Sequence, residues 1–373
     1  MTRCRSLAGL GLAGAVAAVV AFHLGAGATA ARAQVRAQVD TVGFATTWTD
    51  MQAVVAASRA AEGLAAMGDA GRTACLAAIL PHDDYLYAGR TVVHALPYLQ
   101  APRWVMIGVC HACRRAGVRD QLLFDASEAW RVAGRDWLVD EALRDELRDR
   151  LGSWAVEAAD RHAAEHSLES LLPWIGAAVA EPRFVPILVA GMEFDTLREA
   201  AGTLAAALAA ICRERGWQPG RDLALAISAD AVHYGCEGWG ATGYAPFGCD
   251  ERGHAAARQQ DLTLADATLA GPLDDAGIAS YVRLVWNPAR PSDPADPYRI
   301  TWCGLYSIPF GLTVLCRWLD ATGAAACRGE LLRYGDSVSD GRLDLPAARL
   351  GVTAPATLAH WVGYPALVYL ADE

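Results

Sequence analysis

Lysine is absent from this 373-residue chain, and all 32 of its permanently basic side chains are arginine. That absence excludes a lysine Schiff base, a pyridoxal-phosphate anchor and a P-loop, all of which need a primary amine. Positive charge is scarce as well: 42 Asp and Glu outnumber the arginines and set the formal net charge at -10. So acidic a chain does not suit nucleic acid, whose phosphates demand clustered cations. There is no Gly-x-Ser-x-Gly, which removes the nucleophile-elbow hydrolases. No Gly-x-Gly-x-x-Gly run links a strand to a helix, which leaves a dinucleotide fold unsupported. What remains is 53% hydrophobic and 20% charged, far from the composition of disorder and ample for one large core.

The first 33 residues read as a targeting segment. Arg3 and Arg5 form a positive head, Leu7 to Leu24 is an apolar run of small residues, and Ala31-Arg32-Ala33 offers a small-x-small cleavage site. That is the layout of a secretory signal. The expectation is a mature domain over residues 34–373, periplasmic or secreted, with no stable membrane insertion after cleavage. The alternative is an uncleaved segment serving as a membrane anchor, since the run is just long enough to span. Beyond Cys4, nine cysteines remain: Cys75, Cys110, Cys113, Cys212, Cys236, Cys249, Cys303, Cys316 and Cys327. An odd number in an oxidising compartment suits one metal thiolate plus up to four disulfides.

Short apolar runs alternate with longer helical patterns. Ala74 to Leu80, Trp104 to Val109, Phe184 to Val189 and Leu223 to Ser228 have the length and flanks of buried strands. Helical spacing recurs over Val139 to Leu151, Leu168 to Val179, Thr196 to Arg215 and Phe310 to Thr322. Asn287 to Pro297 is rich in Pro and Asp and reads as a loop, and Tyr364 to Leu370 as a last strand. The alternation predicts a single α/β domain with a central, largely parallel sheet flanked by helices.

In such sheets sites form beyond the carboxyl ends of the strands. The first strand runs into Pro81-His82-Asp83-Asp84, the second into Cys110-His111-Ala112-Cys113, and the fourth into Asp230 and His233. Three histidines placed just after three strands point to a metal or to acid/base chemistry.

These residues carry a resemblance. Pro81-His82-Asp83-Asp84-Tyr85-Leu86-Tyr87-Ala88-Gly89 is similar to the Pro-His-Ala-Gly-Tyr-x-Tyr-Ser-Gly motif of the Memo family. Ile107-Gly108-Val109-Cys110-His111 resembles its Leu-Gly-Pro-Ser-His, and Glu165-His166-Ser167-Leu168-Glu169 with Leu172-Pro173 its Glu-His-Ser-Leu/Ile-Glu…Leu-Pro. Ser228-Ala229-Asp230-Ala231-Val232-His233-Tyr234-Gly235 resembles its Ser-Ser-Asp-x-x-His-Tyr/Trp-Gly, and Thr301-Trp302-Cys303-Gly304 its Thr-x-Cys-Gly. Tyr334-Gly335-Asp336-Ser337 and Val362-Gly363-Tyr364 fit its closing pattern. The same family is known in prokaryotes as AmmeMemoRadiSam system protein B, and its fold is similar to the class III extradiol dioxygenases.

The resemblance implies a metal held by His82, His111 and Cys303, with Asp230 and His233 lining the same cavity as orienter and acid/base. It implies Fe(II) first. A thiolate in place of a carboxylate makes the site softer and brings in copper or zinc. Glu165 and His166 are expected beside the ligands, and so are Asp83 and Asp84, which replace the family's Ala-Gly and suit a helix cap. Cys110 and Cys113 straddle His111 as a Cys-x-x-Cys, open to a local disulfide, a redox couple or a second thiolate source. Two functions follow: an exported enzyme with oxygen-dependent or redox chemistry on a small molecule, or a non-catalytic metal-handling or binding protein. A minor third reading is His162-Ala163-Ala164-Glu165-His166 as an H-x-x-E-H zinc-peptidase signature, which needs both histidines on one helical face.

Overall fold

The computed structural model describes residues 34–64, 73–239, 242–287, 297–348 and 350–372. The expected signal segment lies outside the described residues, and so do residues 288–296 of the expected loop.

The four predicted inner strands form as Ala77–Leu80, Arg103–Val109, Arg183–Val189 and Ala224–Ser228. They stand side by side in parallel, with Ala224–Ser228 between Ala77–Leu80 and Arg103–Val109, and Arg183–Val189 beyond. Side chains alternate between two cores, as a period of two requires. Ile79, Val105, Ile107, Ile187 and Ile227 enter one core with helices Glu141–Leu151, Phe194–Arg215 and Ser307–Thr322. Ala78, Leu80, Trp104, Met106, Leu188 and Ala226 enter the other with helices Trp48–Ala61, Tyr85–Val92 and Leu172–Ala178. Both faces are covered, the usual condition for parallel strands.

Beyond these four the sheet is mixed rather than largely parallel. Among the described residues it has eleven strands. Trp361–Ala371 pairs antiparallel with Ala77–Leu80 on one side, and its length is shared between His233–Trp239 and Cys327–Asp336 on the other. At the opposite edge Leu122–Phe124 pairs antiparallel with Arg183–Val189. The strand Cys327–Asp336 shows no clean apolar run because polar Arg328, Glu330 and Arg333 interrupt it. Its pairing depends on the distant Trp361–Ala371, which a local pattern does not record. A separate three-stranded sheet, Val35–Ala37, Ala129–Val132 and Arg135–Leu138, lies apart from the main one.

Helix ends follow local chemistry. Phe194–Arg215 has Asp195 in its first turn and Arg213 and Arg215 in its last, and it stops at Gly216 with a left-handed φ of 66°. Helix Glu251–Thr268 starts where Asp250 accepts a hydrogen bond from the Gly253 N–H. Its buried Asp261 accepts from Trp302 Nε1 at 2.9 Å, Tyr334 Oη at 2.7 Å and the Val232 N–H at 3.0 Å. One carboxylate thus ties together three segments that flank the site.

Gly108 has a steric reason to be glycine. A Cβ there would lie 2.6 Å from Leu168 Cγ and 2.9 Å from Leu188 Cδ2. The bare strand lets the Glu165–Leu168 segment close onto the sheet. Gly108→Ala is therefore expected to cost about 1–3 kcal/mol by overpacking, read as a lower urea midpoint at unchanged m-value.

Candidate metal centre

Three adjacent parallel strands end at one edge of the sheet, where Leu80 is in register with Ser228, and Ile79, Ile227 and Ile107 share a row. Two residues past the last residue of each strand, Leu80, Ser228 and Val109, stand His82, Asp230 and His111. Two connections complete the group. The turn after helix Ala159–His162 contributes Glu165 and His166, with Ser167 Oγ donating to the Val109 carbonyl at 2.8 Å. The Thr301–Cys303 segment contributes its thiol by pairing with the start of His233–Trp239: His233 N donates to Thr301 O at 3.0 Å, and Thr301 Oγ1 donates to His233 O at 2.7 Å.

Among the described residues, two groups of three side chains bring their donor atoms within 4.8 Å of one another: His82, His111 and His166, and His82, Asp230 and Cys303. His82 belongs to both. The sequence-based trio of His82, His111 and Cys303 is therefore spread over two overlapping groups. His166, expected beside the ligands, stands among the candidate ligands themselves, its ring centroid 5.0 Å from that of His111 and 5.5 Å from that of His82.

Hydrogen bonds fix the histidine tautomers. Ser228 Oγ donates to the Ser167 carbonyl at 2.5 Å, so it accepts from His82 Nδ1 at 2.8 Å. His111 Nδ1 donates to Glu165 Oε1 at 2.8 Å, and His166 Nδ1 pairs with Asp40 Oδ2 at 3.0 Å. In all three rings Nε2 is the nitrogen left for a ligand role, the arrangement that orients metal-binding histidines. His82 Nε2 lies 3.4 Å from Asp230 Oδ2 and 3.6 Å from Cys303 Sγ. Asp230 binds in both directions: Oδ1 accepts the His82 N–H at 2.9 Å, and its own N–H donates to Cys303 Sγ at 2.9 Å. His233 Nε2 is 3.6 Å from Asp230 Oδ2.

The electrostatics are divided. Burial brings His82 down to about 3, against the pull of Asp230, so the ring stands neutral. Burial would raise Asp230, but His82 and His233 outweigh it and bring the carboxyl to about 2. Burial and the Asp230 charge push the Cys303 thiol well above its ordinary value. Burial would lower His166, but its bond to Asp40 and the charge of Glu165 lift it to about 9.

Asp83 and Asp84 stand close by but spend their hydrogen bonds elsewhere. Asp83 accepts from the Tyr364 hydroxyl at 2.7 Å and from the Asp84 N–H at 2.7 Å. Asp84 occupies the N-cap position of helix Tyr85–Val92 without a side-chain cap bond, because its carboxylate takes the Thr353 N–H and hydroxyl instead. The expected cap is thus a matter of position only. Burial, then the neighbouring Asp83 charge, raises Asp84 to about 7.

The peptidase signature fails on geometry. Helix Ala159–His162 ends at His162, so His162 and His166 share no helical face. His162 is buried, its Nε2 2.9 Å from the Leu123 carbonyl and its ring edge-on to Trp130. The cysteines form two disulfides among the described residues, Cys110–Cys113 and Cys236–Cys249, fewer than the four the count allowed. Cys75, Cys212, Cys303, Cys316 and Cys327 remain thiols, all but Cys316 buried. Sequence reasoning missed Asp40 and Ser228 as partners of the histidines, since neither lies near its partner in the chain.

An α/β domain with histidine, aspartate and cysteine donors gathered at the carboxyl edge of its parallel strands belongs to the dioxygenase-like class of folds with a candidate metal site. Within that class, the family model for Memo-like protein matches residues 56–339, and the chain belongs to that family. It is also similar to a MEMO1 family protein of Aquifex aeolicus (strain VF5), 26% identical over 162 residues. That match covers 42% of this chain and 54% of the relative, so the chain aligns with only about half of that protein's length.

Asp40, Glu165 and His166 give a pH test. Because the His166 pKa is raised in the folded state, the pairing contributes stability that is full below about pH 6.5 and is lost as pH rises through about 9. Imidazole NMR of the metal-free protein should show His166 titrating on the alkaline side while His82 stays neutral from pH 5 to 8. A His166 midpoint at or below its ordinary value would contradict the assignment.

Proposed function

We propose that this chain is an exported Memo-like protein holding one metal ion, Fe(II) or copper, on His82, His111 and Cys303, for oxygen-dependent or redox chemistry on a small molecule. The observation that carries the reading is the shared tautomer: His82, His111 and His166 each commit Nδ1 to an acceptor and keep Nε2 for a ligand. The donor set fits the group, with imidazole nitrogens beside a thiol and a carboxylate suiting a borderline or soft divalent ion. Bound there, iron or copper would supply Lewis acidity and a one-electron couple.

The chain's own residues do the rest. Glu165 accepts from both His111 Nδ1 and the His111 N–H and so fixes that ligand. Ser228 Oγ accepts from His82 Nδ1, and Asp230 takes the His82 N–H, so the two together fix that ligand. Asp230 stays ionised next to His233, a pair able to hold and pass a proton at His233 Nε2. His111 is the open side of the centre, its side chain 37% exposed against 2% for His82, so substrate would approach past His111. The Cys303 thiol favours a rival reading as a metal carrier, because a soft donor suits storage or transfer of copper or zinc.

Export is supported by the N-terminal pattern and by the two disulfides. No helix among the described residues is long and apolar enough to cross a membrane. Expression of the full chain with cell fractionation and N-terminal sequencing should place a form beginning at Gln34 outside the cytoplasm. A full-length cytoplasmic or membrane-bound form would remove that part of the proposal.

The central test is metal content. Protein beginning at Gln34, purified without oxygen, should carry about one iron or copper per chain by mass spectrometry, and His82→Ala and Cys303→Ala should each lose it. Substrate-dependent oxygen consumption by the loaded protein would separate enzyme from carrier. Wild-type protein that refuses iron, copper and zinc would end the metal reading.

A further inference from the structure

The family match begins at residue 56, yet residues 34–40 reach the centre. They run as an arm whose strand Val35–Ala37 pairs in parallel with Ala129–Arg131. Arg36 in that strand is 6% exposed, and its guanidinium lies 4.1 Å from the Trp130 ring centroid. Its Nε donates to the His162 carbonyl at 2.7 Å, and a terminal nitrogen donates to the Glu165 carbonyl at 2.5 Å. The other terminal nitrogen pairs with Glu169 at 2.5 Å. One side chain therefore bridges both ends of the His162–Glu165 turn and anchors Glu169 four residues further on. Glu169 in turn accepts the N–H groups of Val39 at 3.0 Å and Asp40 at 2.9 Å, which locks the arm's backbone. At the arm's end Asp40 reaches His166 Nδ1 at 3.0 Å.

Buried guanidinium and carboxylate groups are costly unless every donor and acceptor is matched. Here the matching is directed at one short segment, the one that carries Glu165 and His166. We infer that the Gln34–Asp40 arm is a positioning element of the metal centre, with Arg36 fixing the backbone of the Glu165–His166 turn and Asp40 fixing the His166 ring so that Nε2 is presented. The inference rests on the metal reading above and extends it to residues outside the family match. His166 acts as a third imidazole of the centre only while Asp40 holds its other nitrogen. Arg36 also sets where the Glu165 carboxylate stands, and through it the His111 ring.

Asp40 is the residue to change, because its side chain is 39% exposed and its loss leaves the buried Arg36–Glu169 pair intact. Asp40→Ala should weaken Co(II) binding by about 10–100-fold, the usual effect of removing the partner of a ligating histidine. It should also change the Co(II) d–d absorption, with a native near-UV circular dichroism spectrum and only the modest fall in thermal midpoint that loss of the Asp40–His166 pairing brings. Asp40→Asn, which keeps an oxygen to accept the Nδ1 proton, should recover most of the affinity and the wild-type spectrum. Wild-type affinity and spectrum in Asp40→Ala would overturn the inference, and so would a loss that appears only together with a large fall in the thermal midpoint. Long-range 15N NMR of the metal-free proteins separates this result from the fate of the metal reading. Wild-type protein that binds no Co(II) would sink the metal proposal, and the arm would then be judged on the rings alone. A His166 Nδ1–H that loses its hydrogen-bonded shift and its protection from exchange in Asp40→Ala supports the positioning role, and unchanged His166 signals refute it.

Discussion

Everything at the sheet edge depends on Asp230. Its carboxylate takes the backbone N–H of His82, and its own N–H goes to the Cys303 sulfur. Three chain segments that are far apart in sequence therefore meet on one residue. A carboxylate at this depth is sustained only by such bonds, because an ion removed from water without partners would take up a proton. Asp230 is thus both an architectural tie and the charge that sets the field on His82, Cys303 and His233. Asp261 repeats the logic one layer back, where a single buried carboxylate joins Val232, Trp302 and Tyr334.

The inner strands and the residues that follow them were legible because both signals are local. A buried parallel strand is a short apolar run, and the residue two places past its end is found by counting. His82, His111 and Asp230 were visible in that way, and Cys303 and His166 through the Thr-x-Cys-Gly and Glu-His-Ser resemblance. The antiparallel share of the sheet was not legible, since Cys327–Asp336 owes its place to a partner strand rather than to its own pattern. Nor was Asp40, whose value lies in meeting a ring 126 positions away by number, a fact no spacing rule carries. The H-x-x-E-H run shows the converse error. Its spacing is correct for a helix, but the helix stops at His162, and a motif has chemistry only on the element it presupposes.

The departures from the family pattern are absorbed in different ways. Asp83 and Asp84 replace two small residues and bring two carboxyl groups close to the centre, where each finds hydroxyl or amide donors from the C-terminal part of the chain. Gly43, which faces Asp84, leaves room for that carboxylate, for a Cβ there would sit 1.9 Å from Asp84 Oδ1. The Cys110–Cys113 disulfide closes the loop that carries His111, the most exposed of the candidate ligands. Substitutions beside the centre are thus tied into the framework rather than left as extra ligands.

The placement of Trp361–Ala371 bears on the order in which the domain can be assembled. The last strand of the chain is an inner strand of the sheet, with Ala77–Leu80 on one flank and His233–Trp239 and Cys327–Asp336 on the other. Ile79 is in register with Leu367, a contact that closes almost the entire domain into one loop. Such non-local pairing delays folding, because the entropy of closure is spent before the contact rewards it. Without residues 361–371 three strands would lack a partner on one side, each presenting an open edge. The sheet therefore closes only when Trp361–Ala371 is in place, and until then the centre has no rigid floor.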